Sequence, residues 1–462
     1  MGSGAPMIPD LPFRPRAEIE AVQERKFAEM LDLCFTHHPY YRRVFSERGI
    51  RRADIRSLAD IGLIPVIEKS VYAAAPEDFR LETEGLEDEA RVTWDVMHTT
   101  GTSGGTPTPF HSTAHDFYAI LTANRRALEI RGARPGDIVA NLCPMTLYPY
   151  GAYHRTIAAA NAMKLPVVSP MPGRPSPRFH WSADLDEVVE TVARSRCTIL
   201  WGVASYVRRV LMHAQTVGAD FSSVRLAFVT GEAVSEDLRR DMTERMAALG
   251  AVDPAVNVSY AATEMQVGTV ECRPLSGFHN PAPDQFYFEV VDPESREPLP
   301  RGQRGLAVLT HLDRRGTVLL RYALGDLTAQ SHAQCPHCGA WTDRFTELPS
   351  RADDLIKVRG MLINPAVIAE AVLRNGHVDE YQVIIDREDE GDALSMDRMV
   401  LRIALASGTS ERSVAAALVE EVKRATGVRP EIETVSITDI FDPDRSLKSR
   451  RMIDRRQREA TE

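Results

Sequence analysis

The sequence predicts an α/β protein, with a large N-terminal domain of parallel and mixed sheets and helices followed by a small α+β C-terminal domain. Three observations carry this. Short apolar runs alternate with helical patterns through the middle of the chain, at Ile138-Val139-Ala140-Asn141-Leu142, Pro166-Val167-Val168, Thr198-Ile199-Leu200-Trp201 and Leu226-Ala227-Phe228-Val229. Parallel strands buried on both faces read this way. After about Asn280 the texture changes to Phe286-Tyr287-Phe288-Glu289-Val290-Val291 and Leu306-Ala307-Val308-Leu309-Thr310, separated by the turn-rich DPESREPLPRGQRG, which predicts an antiparallel hairpin. Near Ser350-Arg351-Ala352-Asp353-Asp354 a boundary opens onto about 110 residues with their own short strands and amphipathic helices. The expected division is residues 1–350 and residues 351–462.

A chain of 462 residues is too long for one ordinary core and predicts roughly two to four compact units. Its 44% hydrophobic and 26% charged content is that of a soluble globular protein. A net charge of -10 argues against a nucleic-acid surface, which needs a basic stripe to release counterions. Arg445, Arg450, Arg451, Arg455 and Arg456 cluster late in the chain, and the simplest reading is a solvated helix face. The N-terminus MGSGAPMIPDLPFRPRAEIE lacks the apolar stretch of a signal peptide, and nothing later approaches a membrane span, so a cytoplasmic location with no membrane partner is expected.

From Ala17 to Gly49 apolar residues recur at helical spacing, with Gly49 as the stop. Ala90-Arg91-Val92-Thr93-Trp94 reads as a strand leading into HTTGTSGGTPTP, residues 98 to 109. That run is built to hold phosphate. Gly101, Gly104 and Gly105 let the backbone turn N–H groups toward an anion, while Thr99, Thr100, Thr102, Ser103 and Thr106 offer hydroxyls. No lysine lies between Thr99 and Thr113, so it is not a Walker loop and its cation must come from a distant part of the chain. Residues 387 to 398, REDEGDALSMDR, read as an exposed loop between two strands.

Six cysteines are too sparse for a disulfide framework. Two of them form Cys335-Pro-His-Cys338, the spacing of a zinc knuckle, and Cys272 with His279 adds a sulfur and an imidazole for a closed, structural tetrahedral site. His337 is the alternative to His279, and unliganded thiols are the alternative to a metal. Such a site would pin the region of about residues 270–345.

Several further segments fall into one order: Thr230-Gly231-Glu232-Ala233, Ser259-Tyr260-Ala261-Ala262-Thr263-Glu264, Arg321-Tyr322-Ala323-Leu324-Gly325-Asp326, Arg351-Ala352-Asp353-Asp354-Leu355-Ile356-Lys357-Val358-Arg359-Gly360, and Arg445-Ser446-Leu447-Lys448-Ser449. With the glycine-rich loop they resemble the adenylate-forming superfamily over nearly the whole chain. HHPYYRRVFSERGI, DIRSLADIGLIPVIEKS and the segment from Glu271-Cys272 to Gly277-Phe278-His279 are most similar to the phenylacetate–CoA ligase family.

The resemblance implies an ATP-dependent ligase that converts an aryl or arylacetic acid to an acyl-adenylate and then to a thioester of coenzyme A. It implies that residues Thr99 to Thr106 cradle the β- and γ-phosphates, that Thr263 touches the α-phosphate and that Glu264 holds magnesium. Tyr260 would lie against adenine, with Gly231, Glu232, Ala233, Ser259 and Arg351 completing the nucleotide site. Asp326 would accept from the ribose hydroxyls. Here Ala323 and Leu324 replace the arginine and threonine of the commoner Tyr-Arg-Thr-Gly-Asp, and Ala261-Ala262 stands where a glycine often follows the tyrosine. Lys448 would supply the missing positive charge, carried by a mobile C-terminal domain that pivots at Asp353 and alternately offers the Gly360 loop to the thiol. Tyr148, Tyr150, Gly151, Trp201 and Ala204 are the expected acyl pocket. The motifs leave open an amine, a carrier-protein thiol or another nucleophile such as a nitrogen oxyanion as acceptor. A non-catalytic nucleotide-binding protein is the reading from another class, and a homodimer is the expected assembly.

Overall fold

Five parallel strands form the centre of the molecule, in the spatial order Val167–Val168, Val139–Asn141, Ile199–Val203, Leu226–Thr230 and Ala255–Tyr260. The computed structural model describes residues 10–99, 107–145, 151–173, 182–351, 356–359, 361–389, 395–406, 408–442 and 449–456. Four of the five strands are the apolar runs of the sequence. The fifth, AVNVSY, alternates with polar residues and escapes that pattern. Asn257 is nevertheless buried, because its side-chain amide donates to Arg131 O at 3.1 Å and so keeps a partner on leaving water.

Helices connect the strands as parallel pairing requires. Helix Ala204–Val217 follows one strand and ends at Gly218, whose φ of 68° is the left-handed cap that glycine adopts without cost. Helix Leu185–Arg194 begins with a capping box between Asp184 and Glu187.

Beyond Tyr260 the same sheet continues with antiparallel strands, Thr269–Val270, Phe278–His279, Arg344–Phe345 and Gln330–Ser331. A second, antiparallel sheet holds Phe286–Val291, Gly305–His311, Tyr322–Thr328 and Ser350–Arg351. Its first pair is the hairpin expected from sequence, in register from Phe286 opposite His311 to Val291 opposite Leu306. One apolar core joins both sheets to the N-terminal helices through residues such as Phe27, Phe45, Leu200, Val258, Leu309 and Tyr322.

One local expectation is refined and another is corrected. The helical stretch from Ala17 to Gly49 is two helices, Arg16–His37 and Pro39–Arg48. Pro39 lacks an N–H and starts the second helix, while His38 is extended and its ring nitrogen accepts from Tyr41 N at 3.3 Å. Residues 90–94 are not one strand, because Asp88 and Glu89 favour a helix N-terminus and Asp88–Arg91 forms a helical turn before strand Thr93–His98 begins.

Toward the C-terminus a four-stranded sheet has the order Glu431–Thr434, Asp397–Leu405, Val378–Arg387, Met452–Asp454, with an antiparallel centre and parallel outer pairs. Helices Pro365–Arg374 and Glu411–Thr426 pack together, and a separate core runs from Val358 and Ile363 to Leu418 and Val428. Among the described residues no helix is long and apolar enough to cross a membrane.

Candidate active site

Parallel α/β sheets bind ligands outside the carboxyl ends of their strands, where the strand order reverses. The order reverses here between Val139–Asn141 and Ile199–Val203. At the carboxyl ends of neighbouring strands stand Ala204, Thr230-Gly231-Glu232-Ala233 and Ser259-Tyr260, so three of the sequence motifs meet along one edge. Gly231 takes a φ of 81°, a turn that frees the following residues from the strand, and Gly231 and Ala233 are exposed there. Glu232 turns back to receive Ser205 N at 2.9 Å and Ser205 Oγ at 2.8 Å, placing a carboxylate at the start of helix Ala204–Val217.

The second sheet supplies the opposite wall. Tyr260 Oη donates to Asp326 Oδ2 at 2.6 Å, and the buried Glu264 accepts from Tyr322 Oη at 2.8 Å through Oε1. Tyr322 and Asp326 lie on one strand, whose Ala323 and Leu324 are buried as apolar filler. His311 Nδ1 accepts from Leu319 N at 3.0 Å, so its Nε2–H is the donor to Glu264 O at 2.9 Å. Burial holds the His311 imidazole well below its usual pKa and keeps it neutral for that role. The Glu264 side chain has no ion-pair partner among the described residues, although only 3% of its surface is exposed. A buried carboxylate that accepts from a phenol and has no ion-pair partner among the described residues fits a cation ligand, which would offset its desolvation.

Hairpin strands Thr93–His98 and Pro109–Thr113 carry the glycine-rich loop. Thr99 closes its base twice, donating its N–H to Thr108 O at 3.0 Å and accepting Thr108 N on Oγ1 at 3.0 Å. Thr99 is thus fixed as a pin for the loop. Thr100, Gly101, Thr102, Ser103, Gly104, Gly105 and Thr106 lie outside the described residues, as do Tyr148, Tyr150, Asp353, Gly360 and Lys448. Arg351 is described by its backbone, which pairs with Asp326.

Of the expected acyl-pocket residues, Gly151 begins helix Gly151–Ala162, and Ala204 is fully buried in the main core. Trp201 packs edge-on to Phe228 at 5.6 Å and beneath the Arg131 guanidinium at 5.2 Å, in the apolar cluster of Val139 and Ile199. The structure therefore puts Trp201 and Ala204 in different clusters. Sequence reading missed a residue nearby. Arg155 donates to Asp95 Oδ2 at 3.0 Å and to Gln266 Oε1, and its guanidinium lies 5.1 Å from the Trp94 ring centre. Gln266, with a φ of 60°, ends the turn Thr263–Met265 and donates to Thr263 O at 2.6 Å. No short motif encodes a contact between residues 95, 155 and 266.

Cys272, His279, Cys335 and Cys338 meet at the antiparallel end of the large sheet, with ligand atoms all within 4.8 Å of one another. Cys272 Sγ is 3.9 Å from Cys335 Sγ, and Cys338 Sγ is 3.5 Å from His279 Nε2. Zinc–sulfur bonds in a tetrahedron put sulfurs about 3.8 Å apart, so the set fits zinc. His279 Nδ1 bonds Val270 O at 3.1 Å, which leaves Nε2 free to ligate, and the exposed His337 stands outside the cluster. The contact between Cys272 and Cys338 lowers the first thiol's pKa and raises the second's, as a shared proton does. Gly277, between two ligands, has a φ of 78°, and a Cβ there would lie 2.7 Å from Phe345 O.

Residues 175–310 match the AMP-binding enzyme family and residues 360–456 match the AMP-binding enzyme C-terminal domain. Phenylacetate-coenzyme A ligase of Thermus thermophilus is 27% identical over 388 residues, 82% of this chain and 81% of that one. The Aromatoleum evansii protein of the same name is 25% identical over 453 residues, 96% of each chain. Among solved structures, a 2-hydroxyisobutyryl-CoA ligase in its postadenylation state with R3-HIB-AMP superposes with a TM-score of 0.79 at 24% identity, covering 98% of this chain and 94% of that one. The same ligase with 2-HIB-AMP and CoA in its thioesterification state gives 0.64 at 25% identity, covering 96% and 91%. With both family models matched in order and a shared fold across nearly the full length, this chain belongs to the adenylate-forming, AMP-binding enzymes.

Proposed function

We propose that this ligase activates an aromatic carboxylic acid, aryl or arylacetic, and transfers the acyl group to coenzyme A. The observation that carries the reading is the buried Glu264 carboxylate without a cation partner among the described residues, set beside the Tyr260–Asp326 pair. That combination suits a nucleotide with its metal. The names of the curated relatives support an aromatic acid.

In the first half-reaction a carboxylate oxygen attacks the α-phosphorus of ATP and pyrophosphate leaves. Tyr260 stacks on adenine and Asp326 accepts from the ribose hydroxyls, while Gly231, Glu232, Ala233, Ser259 and Arg351 complete the nucleotide site. Residues 99 to 106 hold the outgoing phosphates, Thr263 steadies the α-phosphate and Lys448 counters the negative charges that converge during attack. Magnesium held by Glu264 would neutralise phosphate charge. In the second half-reaction the thiol sulfur attacks the acyl carbon and AMP leaves. Residues 351–462 act as a lid that pivots at Asp353 to exchange Lys448 for the Gly360 loop. Tyr148, Tyr150, Gly151, Trp201 and Ala204 remain the proposed acyl pocket. Zinc on Cys272, His279, Cys335 and Cys338 would be structural, since four protein ligands leave no open position.

The test is pyrophosphate release across a panel of aromatic and aliphatic acids, with and without CoA. Acid-dependent release with an aromatic acid, followed by CoA-dependent thioester, is the expected result. Release that is stronger with short aliphatic acids would overturn the aromatic assignment, and adenylate without thioester would overturn CoA as acceptor.

A further inference from the structure

The C-terminal sheet approaches the large domain at helix Ala204–Val217, the helix whose first turn is tied to Glu232. Arg208 on that helix donates to Asp379 O across the junction, while its Nε donates to Asp241 Oδ2 at 2.8 Å within the large domain. Burial lowers the pKa of the neighbouring Arg209, and Asp379, Glu380 and Asp442 are near enough for their charges to oppose that effect. Helices Glu236–Ala248 and Pro365–Arg374 pack beside this point.

The charge pattern reverses one step away. Strand Val378–Arg387 pairs in parallel with Met452–Asp454, and Val383 N donates to Arg451 O at 2.8 Å, which sets Arg451 at the rim of the sheet. There Arg451 Nε donates to Glu380 Oε1 at 3.0 Å, its guanidinium lies 5.2 Å from the Tyr381 ring centre, and both side chains feel the charge of Glu232. Arg451 follows Lys448 by three residues. The arginine cluster read from sequence as a solvated face therefore contributes a half-buried cation to the junction.

We propose that Arg208, Arg209 and Glu232 on one side, and Asp379, Glu380 and Arg451 on the other, form an interdomain latch that holds the C-terminal domain in the orientation for adenylate formation. This rests on the two-half-reaction reading above. The two sides are complementary in sign, and the hydrogen bond from Arg208 to Asp379 O that crosses between them is one that a domain motion can release and remake. A latch for a reversible motion needs that property. It also reports on the nucleotide segment, because Glu232 belongs to the Gly231-Glu232-Ala233 turn and Arg451 to the strand that follows Lys448. Arg451 is a positioning residue in this scheme.

The test uses the full-length protein with Arg209→Glu, which sets a carboxylate against three others at the seam and touches no proposed catalytic group. Acid-dependent pyrophosphate release should fall about tenfold, while thioester formation from supplied acyl-adenylate and CoA stays within about twofold of the parent. Adding Asp379→Lys should restore pyrophosphate release, and Arg209→Lys alone should behave as the parent. Equal loss of both half-reactions, no loss in either, or failure of the charge swap to rescue a folded double variant would overturn the latch. A parent protein that releases no pyrophosphate with any acid would instead overturn the enzymatic reading.

Discussion

Tyr260 Oη and Asp326 Oδ2 lie 2.6 Å apart and join the parallel sheet to the antiparallel one at the proposed nucleotide site. Tyr260 ends a central strand and Asp326 lies within a strand of the second sheet, so the hydrogen bond fixes the carboxylate in direction. Tyr260→Phe keeps the ring and loses the tether. A hydrogen bond to a charged group contributes about 1.5–3 kcal/mol, so KM for ATP should rise roughly tenfold or more with kcat little changed. Asp326→Ala should be the more severe of the two, because it removes the ribose acceptor itself. Steady-state kinetics at varied ATP distinguish them.

Glu264 offers a second test. Glu264→Gln keeps an acceptor for Tyr322 Oη and removes the negative charge. If the charge is there for magnesium, adenylate formation should fall at least about a hundredfold and require more magnesium for half-saturation. Tyr322→Phe keeps the charge and should cost no more than about tenfold. A Glu264→Gln enzyme with parental magnesium dependence would remove the residue from that role.

What the sequence made legible was whatever repeats locally. Buried parallel strands have a short-range signature, and four of five were readable, whereas Ala255–Tyr260 was hidden by Asn257 and Ser259. Pro39 and Gly49 mark the real ends of the second helix, yet the apolar spacing runs straight through Pro39. The zinc-type ligand set was visible because two ligands sit three residues apart and the other two lie close together in one segment. Contacts among Asp95, Arg155 and Gln266, and those of Arg451 with the Glu380 and Glu232 carboxylates, join residues far apart in the chain. Their geometry depends on tertiary packing, which no local spacing records.

The Cys272, His279, Cys335 and Cys338 set leads to a third prediction. These side chains come from segments at three short antiparallel strands, each only two residues long, which zinc would tie together: Thr269–Val270, Phe278–His279 and Gln330–Ser331. Such strands have little ladder of their own. Protein purified without chelator should hold about one equivalent of zinc per chain, and stripping it, or making Cys335→Ser, should lower the melting temperature by roughly 5–10 °C. Elemental analysis with a thermal scan checks both. Less than half an equivalent, with no thermal effect of a strong chelator, would leave the cluster as unliganded thiols.

Arg155 provides the last prediction. Its side chain is about 10% exposed and that of Asp95 about 20%, so their ion pair is largely shielded from water. Burial lowers the Arg155 pKa, the Asp95 charge works against that effect, and Gln266 takes a further N–H. Arg155→Gln alone would strand the Asp95 carboxylate and cost about 3 kcal/mol, as removal of one partner from a buried pair does. Asp95→Asn with Arg155→Gln removes the stranded charge and should recover at least half of that loss in denaturant unfolding. Stability and activity should then separate. The stabilised double variant still lacks the guanidinium that holds Gln266, and Gln266 fixes the carbonyl of Thr263 at the proposed α-phosphate site. Adenylate formation should therefore remain about tenfold below the parent although the fold is restored, and full recovery of activity would show that Arg155 serves stability alone.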